Sequence, residues 1–307
     1  MNQDEALPVE LGTSHAPASG SGVDTRALLA ELHRHLAGMG SVLVCYSGGV
    51  DSAFVLAVAH AALGEKAVGM TAVSPSLAPF ERDEAIAVAR QIGARHELVP
   101  SREIEDPNYV ANHTDRCFHC KSELYRLSAE KQKEWSLAAV VNGTNLDDLG
   151  DYRPGLEAAK QAGVRSPLVE LGFTKSAVRA CAAEIGLSIW GKPAAACLSS
   201  RIPYGTKVTR ERLAQIGALE EELHRLGLRQ VRVRWHALGG DGEKTKEGAM
   251  ARVEIAKDEL VSAFEARDAI VVAGKKLGFA YVTLDLEGYR TGSHNEVLVG
   301  RQLKIIS

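Results

Sequence analysis

Residues 41–52 read Ser-Val-Leu-Val-Cys-Tyr-Ser-Gly-Gly-Val-Asp-Ser. The first half is a short apolar run rich in β-branched residues, the composition of a strand buried in a parallel sheet. A glycine pair interrupts it, and DSAFVLAVAHAALG, from Asp51 to Gly64, has helical spacing. Strand, tight turn and helix in immediate succession are the start of a βαβ unit.

Working outward, the same alternation continues. Helical spacing begins near Thr25 in TRALLAELHRHLAGM, and Ala67 to Val73 is a second strand candidate. Glu81 to Gly93 is an amphipathic helix, Arg95 to Val99 a third strand, the segment around Cys120 to Glu134 a helix, and Leu137 to Asn142 a strand closed by Gly143. This pace predicts an α/β fold, a doubly wound parallel sheet with helices on both faces. After about Lys207 the pattern changes. A helix is expected over Thr209 to Leu226, with Thr209 as N-cap and Gly227 as stop. A half-exposed strand follows over Gln230 to His236, a loop over Gly239 to Gly248 and a strand over Ala251 to Ile255. Asp258 to Leu277 is expected as a helix and Tyr281 to Leu286 as a strand. The chain is therefore divided into a disordered tail over 1–24, rich in Ala, Pro, Gly and Ser, a first domain over 25–205 and a smaller α+β domain over 206–307. No internal repeat is evident.

The turn has a chemistry of its own. Two glycines let the backbone bend tightly and present several N–H groups to an anion, and the helix start adds partial positive charge. With hydroxyls at Ser47 and Ser52, the candidate cradle is Ser47, Gly48, Gly49, Val50, Asp51 and Ser52. Asp51 suits such a site if it meets magnesium or orients the loop. No Lys-Ser or Lys-Thr pair follows, so this is not a Walker loop, and the three-glycine dinucleotide spacing is absent. A capped turn with no ligand is the simpler reading of a lone Gly-Gly. The full string SGGVDS in its strand–helix setting resembles the PP-loop of the N-type ATP pyrophosphatases. That resemblance implies an adenine nucleotide alpha hydrolase-like fold, ATP cleaved between its α- and β-phosphates with magnesium, and a catalytic role for Asp51.

Asn142-Gly-Thr-Asn-Leu-Asp-Asp148 closes the strand near residue 140, at the end that faces the ligand crevice in an open α/β sheet. Gly143, Thr144, Asn145 and Asp148 are therefore further candidates for the ATP site, and the carboxylates suit magnesium; an Asx-rich turn reads the same way. Among five cysteines, Cys45 and Cys181 fall in apolar strand and helix, as small buried residues. Cys117 and Cys120 form Cys-Phe-His-Cys, compatible with half a zinc site, a redox dithiol or part of an iron–sulfur site. Cys197 lies in KPAAACLSSRIPYG.

The set SGGVDS, RCFHCKSELY, NGTNLDD and KPAAACLSSRIPYG, with YVTLDLEGYRTGS near the end, is similar to the LarE family over nearly the whole chain from about residue 25. LarE enzymes are ATP-dependent sulfur transferases that mature the nickel-pincer nucleotide cofactor of lactate racemase. The resemblance implies a pyridinium mononucleotide substrate with two carboxylates, each adenylated by ATP and converted to a thiocarboxylate. Some members attack with the cysteine matching Cys197 and surrender its sulfur. Others hold a [4Fe-4S] cluster on three cysteines, and Cys117, Cys120 and Cys197 resemble that type. Three zinc ligands with His119 is the structural alternative.

In the C-terminal part, Arg232 and Arg234 stand two apart on a predicted strand and share a face, which suits the substrate's phosphate. Glu254 alternates with apolar neighbours and is a candidate metal ligand nearby. The 36 basic and 39 acidic residues give a formal net charge of −3, which disfavours nucleic acid as the main partner and with it a tRNA thiolase. An ammonia-using synthetase would not need three cysteines, and a non-catalytic nucleotide scaffold would not need Ser47, Asp51 and Ser52. No apolar run approaches a bilayer span and no signal peptide is apparent, so a cytoplasmic enzyme is expected, binding a small mononucleotide, an unidentified sulfide donor and further copies of itself.

Overall fold

The computed structural model describes residues 24–150, 154–193, 196–239 and 248–290. The first unit runs α1 (Thr25–Ala37), β1 (Val42–Cys45), α2 (Val50–Leu63), β2 (Ala67–Val73), α3 (Pro79–Ile92), β3 (Arg95–Pro100), α4 (Pro107–Ala111), α5 (Arg116–Glu134) and β4 (Ala139–Val141). Three further helices follow, α6 (Pro154–Gln161), α7 (Pro167–Glu170) and α8 (Lys175–Glu184). The second comprises α9 (Arg210–Arg225), β5 (Val231–Ala237), β6 (Ala249–Ile255), α10 (Leu260–Glu265), α11 (Arg267–Lys276) and β7 (Phe279–Leu284).

Four strands form a parallel sheet in the order β3-β2-β1-β4. A bridge from Val141 to Arg165 prolongs its β4 edge. All four residues of β1 are buried, and they alternate between two cores. Val42 and Val44 pack with α1, α2, α3 and α8, whereas Leu43 and Cys45 face Tyr125 and Leu127 of α5 and Ala158 and Ala159 of α6. A strand enclosed on both faces must be apolar at every position, which is why SVLVCYS carries no alternation.

The second sheet, β5-β6-β7, pairs β5 with β6 antiparallel and β6 with β7 parallel. Its core joins Leu213, Ile216 and Leu223 of α9 to Val233 and Val253, and draws in Tyr109, Leu198, Ile202 and Val208. Thr209 caps α9 by accepting a hydrogen bond from Arg212 N at 3.3 Å. The helix expected over 258–277 is instead two, broken at Ala266 (φ −83°, ψ 6°). Its start is also delayed, because the Glu259 carboxylate turns back to accept from Arg229 N and Gln230 N at 3.1 Å. The CxxC pair proves to lie inside α5, which begins at Arg116. The tail over residues 1–23, the loop core at 240–247 and the end of the YVTLDLEGYRTGS motif beyond Arg290 lie outside the described residues. Asp24, given to the tail, is the N-cap of α1 and accepts from Ala27 N at 3.0 Å. Among the described residues no helix is long and apolar enough to cross a membrane.

Candidate active site

The residues expected at the ATP site lie in loops that leave the C-terminal ends of β1 and β4. After β1, Gly48 takes φ +75° and a Cβ there would stand 2.6 Å from Ala85 Cβ, so only glycine fits. Gly49 is the N-cap of α2 and offers no capping side chain. Ser52 Oγ instead accepts from Ser47 N at 3.1 Å and donates to Gly49 O at 3.1 Å, closing the loop into a ring. Ser47 Oγ lies 3.1 Å from Ser52 Oγ. After β4, Gly143 comes so close that a Cβ would meet Ser52 N at 2.6 Å. The NGTN loop thus rests on the first turn of α2, and the two loops form one wall.

Asp51 stands in that first turn with Oδ1 buried and closing no hydrogen bond of good geometry among the described residues, although the Asn145 amide, likewise unmet, lies near enough to favour its charge; Asn142 Nδ2 is also unmet. Burial pushes the Asp51 carboxyl above its usual value, against the opposing pull of Lys175, and Asp148 adds to the rise while Arg179 and Asn145 oppose it. Asp148 itself accepts from Asn145 N at 3.1 Å. An orphaned carboxylate oxygen beside a second acid, two cations and helix N–H groups fits a magnesium-bound polyphosphate, since magnesium takes one or two protein carboxylates and completes its shell with phosphate and water. Lys175 and Arg179 had escaped notice in the sequence, although their spacing places two cations on one face of α8.

Around the cysteines, Cys117 and Cys120 sit one turn apart on α5, and Cys197 precedes the 3-10 turn Leu198–Arg201. Leu198 N donates to Ser76 O at 2.8 Å, which fixes the Cys197 segment to the loop after β2. Cys117 and Cys197 are exposed and Cys120 is partly covered. The thiol of Cys120 is pushed far up by burial and then by Glu103 and Cys197. Glu103, 5% exposed, accepts from Ser74 Oγ at 2.6 Å and Ser76 Oγ at 2.5 Å; nothing local in the sequence marks it. Both His119 ring nitrogens face acids, Nδ1 to Asp106 at 3.4 Å and Nε2 to Asp115 at 3.6 Å. Among the described residues no three His, Cys, Asp or Glu side chains close on a single ion. A cubane asks for less convergence, because each thiolate takes a different iron. Three cysteine donors, two of them one turn apart on α5, are compatible with one.

The two strand arginines part company. Arg234, 3% exposed, meets Glu254 with Nε–Oε1 at 3.0 Å and Nη2–Oε2 at 2.9 Å, and donates from Nη1 to Ser200 O at 2.8 Å. Arg252 reaches the same Glu254 carboxylate at 3.2 Å. The Glu254 oxygens, considered above as metal ligands, are thus turned to two guanidiniums. Arg232 stacks on Tyr289 at 4.6 Å and makes no ion pair among the described residues. Burial and then Arg201 lower its pKa. It lines a cavity of about 240 Å³ with Lys192, Ala196, Arg201, Glu220 and Tyr289. Arg201, also outside the sequence-based set, pairs with Glu220 at 2.9 Å and donates to Cys197 O at 3.1 Å, so cavity and cysteine share a wall.

No family model matches the chain. It is 44% identical over 272 residues to an uncharacterized protein of Synechocystis sp., covering 88% of this chain and 97% of that one. It is 36% identical over 263 residues to the pyridinium-3,5-bisthiocarboxylic acid mononucleotide synthase of Lactiplantibacillus plantarum, covering 85% of this chain and 91% of the synthase. An uncharacterized protein of Methanocaldococcus jannaschii is 26% identical over 250 residues, covering 81% of this chain and 91% of its own.

Proposed function

The chain belongs to the LarE family, that of the pyridinium-3,5-bisthiocarboxylic acid mononucleotide synthases, and from this premise we propose that it is a cytoplasmic sulfurtransferase of nickel-pincer nucleotide biosynthesis. ATP adenylates a carboxylate of the pyridinium mononucleotide and releases pyrophosphate. A sulfur nucleophile then forms a C–S bond as the acyl–oxygen bond to AMP breaks, leaving a thiocarboxylate. A carboxylate is a poor electrophile, and adenylation supplies the leaving group that thiolate chemistry needs.

The observation that carries this reading is the orphaned Asp51 Oδ1 at the start of α2, set among Ser47, Ser52 and the Asn142–Asp148 loop. Asp51 and Asp148 would hold magnesium, and the backbone of Ser47 to Ser52 with Gly143, Thr144 and Asn145 would hold pyrophosphate. Arg232 binds the substrate phosphate in the cavity that Ala196 lines beside Cys197. Arg234 and Glu254 instead tie the second sheet to Ser200 O, in the turn after Cys197. Cys117, Cys120 and Cys197 hold a [4Fe-4S] cluster, which supplies the sulfur. The exposure of Cys197 also supports a second reading, in which it gives up its own sulfur. Incubation with ATP and the biscarboxylate mononucleotide should yield AMP, pyrophosphate and thiocarboxylate, and Asp51→Ala should abolish all three with the fold intact. ADP and phosphate as the main products would refute the proposal.

A further inference from the structure

Arg116 opens α5 directly ahead of Cys117, yet it is only 3% exposed. A buried guanidinium is ordinarily matched by a carboxylate, because an unpaired charge withdrawn from water is costly. Arg201 and Arg234, buried nearby, obey this with Glu220 and Glu254. Arg116 makes no ion pair with a carboxylate among the described residues. Its Nη1 donates to two neutral oxygens, Asn112 Oδ1 at 2.5 Å and Ser199 O at 2.9 Å. Its Nε and Nη2 donate to none of the described residues, and the Tyr204 ring lies 5.9 Å from the guanidinium carbon.

The mounting is rigid. Asn112, fully buried in the left-handed conformation at φ 57°, donates its amide to Ile202 O at 3.3 Å, Pro203 O at 2.8 Å and Thr206 O at 2.9 Å. Asn112 therefore fixes the guanidinium between the start of α5 and the chain that follows Cys197. Arg116 adjoins Cys117 in α5 and bonds Ser199 O, two residues beyond Cys197, so the guanidinium sits where two segments with exposed cysteines meet. One buried cation with two donors to spare matches a single small monoanion. A phosphate, with more charge, finds its cations in the cavity at Arg232.

We propose that Arg116 is the fixed cation of a binding site for a small anionic sulfur species of the hydrosulfide class, beside the segments that carry Cys117 and Cys197. The inference deepens the sulfurtransferase reading and rests on it for the identity of the anion. It makes Arg116 a residue that binds and orients the incoming sulfur, whichever cysteine handles it next.

Iodoacetate and iodoacetamide alkylate the same thiolates, but only the first is an anion. The ratio of their rates at one cysteine therefore reports local positive charge and cancels the thiol's own ionisation. The ratio is read by peptide mass spectrometry at Cys117 and Cys197 in the full-length, metal-free protein, without ATP or substrate. It should stand several-fold above the value for the same cysteines in the urea-unfolded chain. Arg116→Met should lower it by about fivefold, the scale expected for removing one charge at close range behind partial solvent, and Arg116→Lys should keep most of it. Equal ratios in the folded and unfolded wild-type chain overturn the proposal even if no variant folds. So does an unchanged ratio in an Arg116→Met protein of normal melting temperature, or an equal loss in the Lys variant. A normal ratio in a protein that makes no thiocarboxylate supports the anion site and refutes the sulfurtransferase reading instead.

Discussion

At Asp51, burial works against the charge that its proposed role in holding magnesium requires. Its carboxyl is raised above the unfolded value of 3.8 by burial first and by Asp148. A raised carboxyl pKa means that the folded chain holds the proton more tightly, so stability falls as pH climbs from the unfolded value through the folded one. At neutral pH the ionised Asp51 is therefore a strain on the ligand-free fold, one that a bound cation would relieve. Asp51→Asn cannot ionise and should melt at a higher temperature than wild type at pH 7. The gain should vanish below about pH 4, where Asp51 is protonated in both states. Thermal melts across that range check the sign, and a loss of stability at pH 7 would contradict it. Such a gain alongside lost turnover is the usual signature of a functional site held in an unfavourable state.

One strand, β5, carries two arginines with opposite duties. Arg234 is tied to Glu254 and to Ser200 O, so it joins the second sheet to the turn that follows Cys197. Removing one partner of a buried pair leaves the other charge stranded, at about 3–5 kcal/mol. Arg234→Met should lose stability on that scale in urea denaturation. Arg232, stacked on Tyr289, makes no such pair among the described residues. Arg232→Met should change stability by less than about 1 kcal/mol, while the KM for the mononucleotide rises well above its change in kcat. If Arg232→Met proves as unstable as Arg234→Met and binds substrate normally, the division of labour is wrong. The alternation that put both arginines on one face was visible in QVRVRWH, but the partner of each depended on what β6 and the 198–201 turn placed opposite.

For the molecule as a whole, the two proposed sources of sulfur make opposite demands on the chain. A cluster on Cys117, Cys120 and Cys197 requires all three thiols and leaves the chain intact, so repeated turnover with added sulfide should occur and each Cys→Ala variant should lose it. Sacrifice requires Cys197 alone and costs the protein one sulfur per transfer. Intact-protein mass spectrometry after turnover, with the Cys117→Ala/Cys120→Ala double variant alongside, separates the two. Retained activity in the double variant with sulfur lost from Cys197 would refute the cluster.

The sequence by itself determined the parallel sheet and the position of the glycine turn after its first strand. Strands enclosed on both faces must be apolar throughout, and a glycine pair between strand and helix is a local necessity, so SVLVCYSGGVDS states both without reference to the rest of the chain. It also picked out the cysteines, because their chemistry belongs to the residue type. It could not show that Arg116 bonds Ser199 O beyond Cys197, that Glu103 lies beside Cys120, or that Glu254 turns its oxygens to Arg234 and Arg252. Nor could it foresee the break at Ala266, where no glycine or proline interrupts the helical spacing. Apart from Glu254 and Arg252 on one strand, those pairings join residues from about twenty to about eighty positions apart, and the charge of a side chain fixes what it needs but not which partner will supply it. Only the packing of the two sheets against the 198–208 segment decided that, by choosing which buried groups would have to satisfy one another.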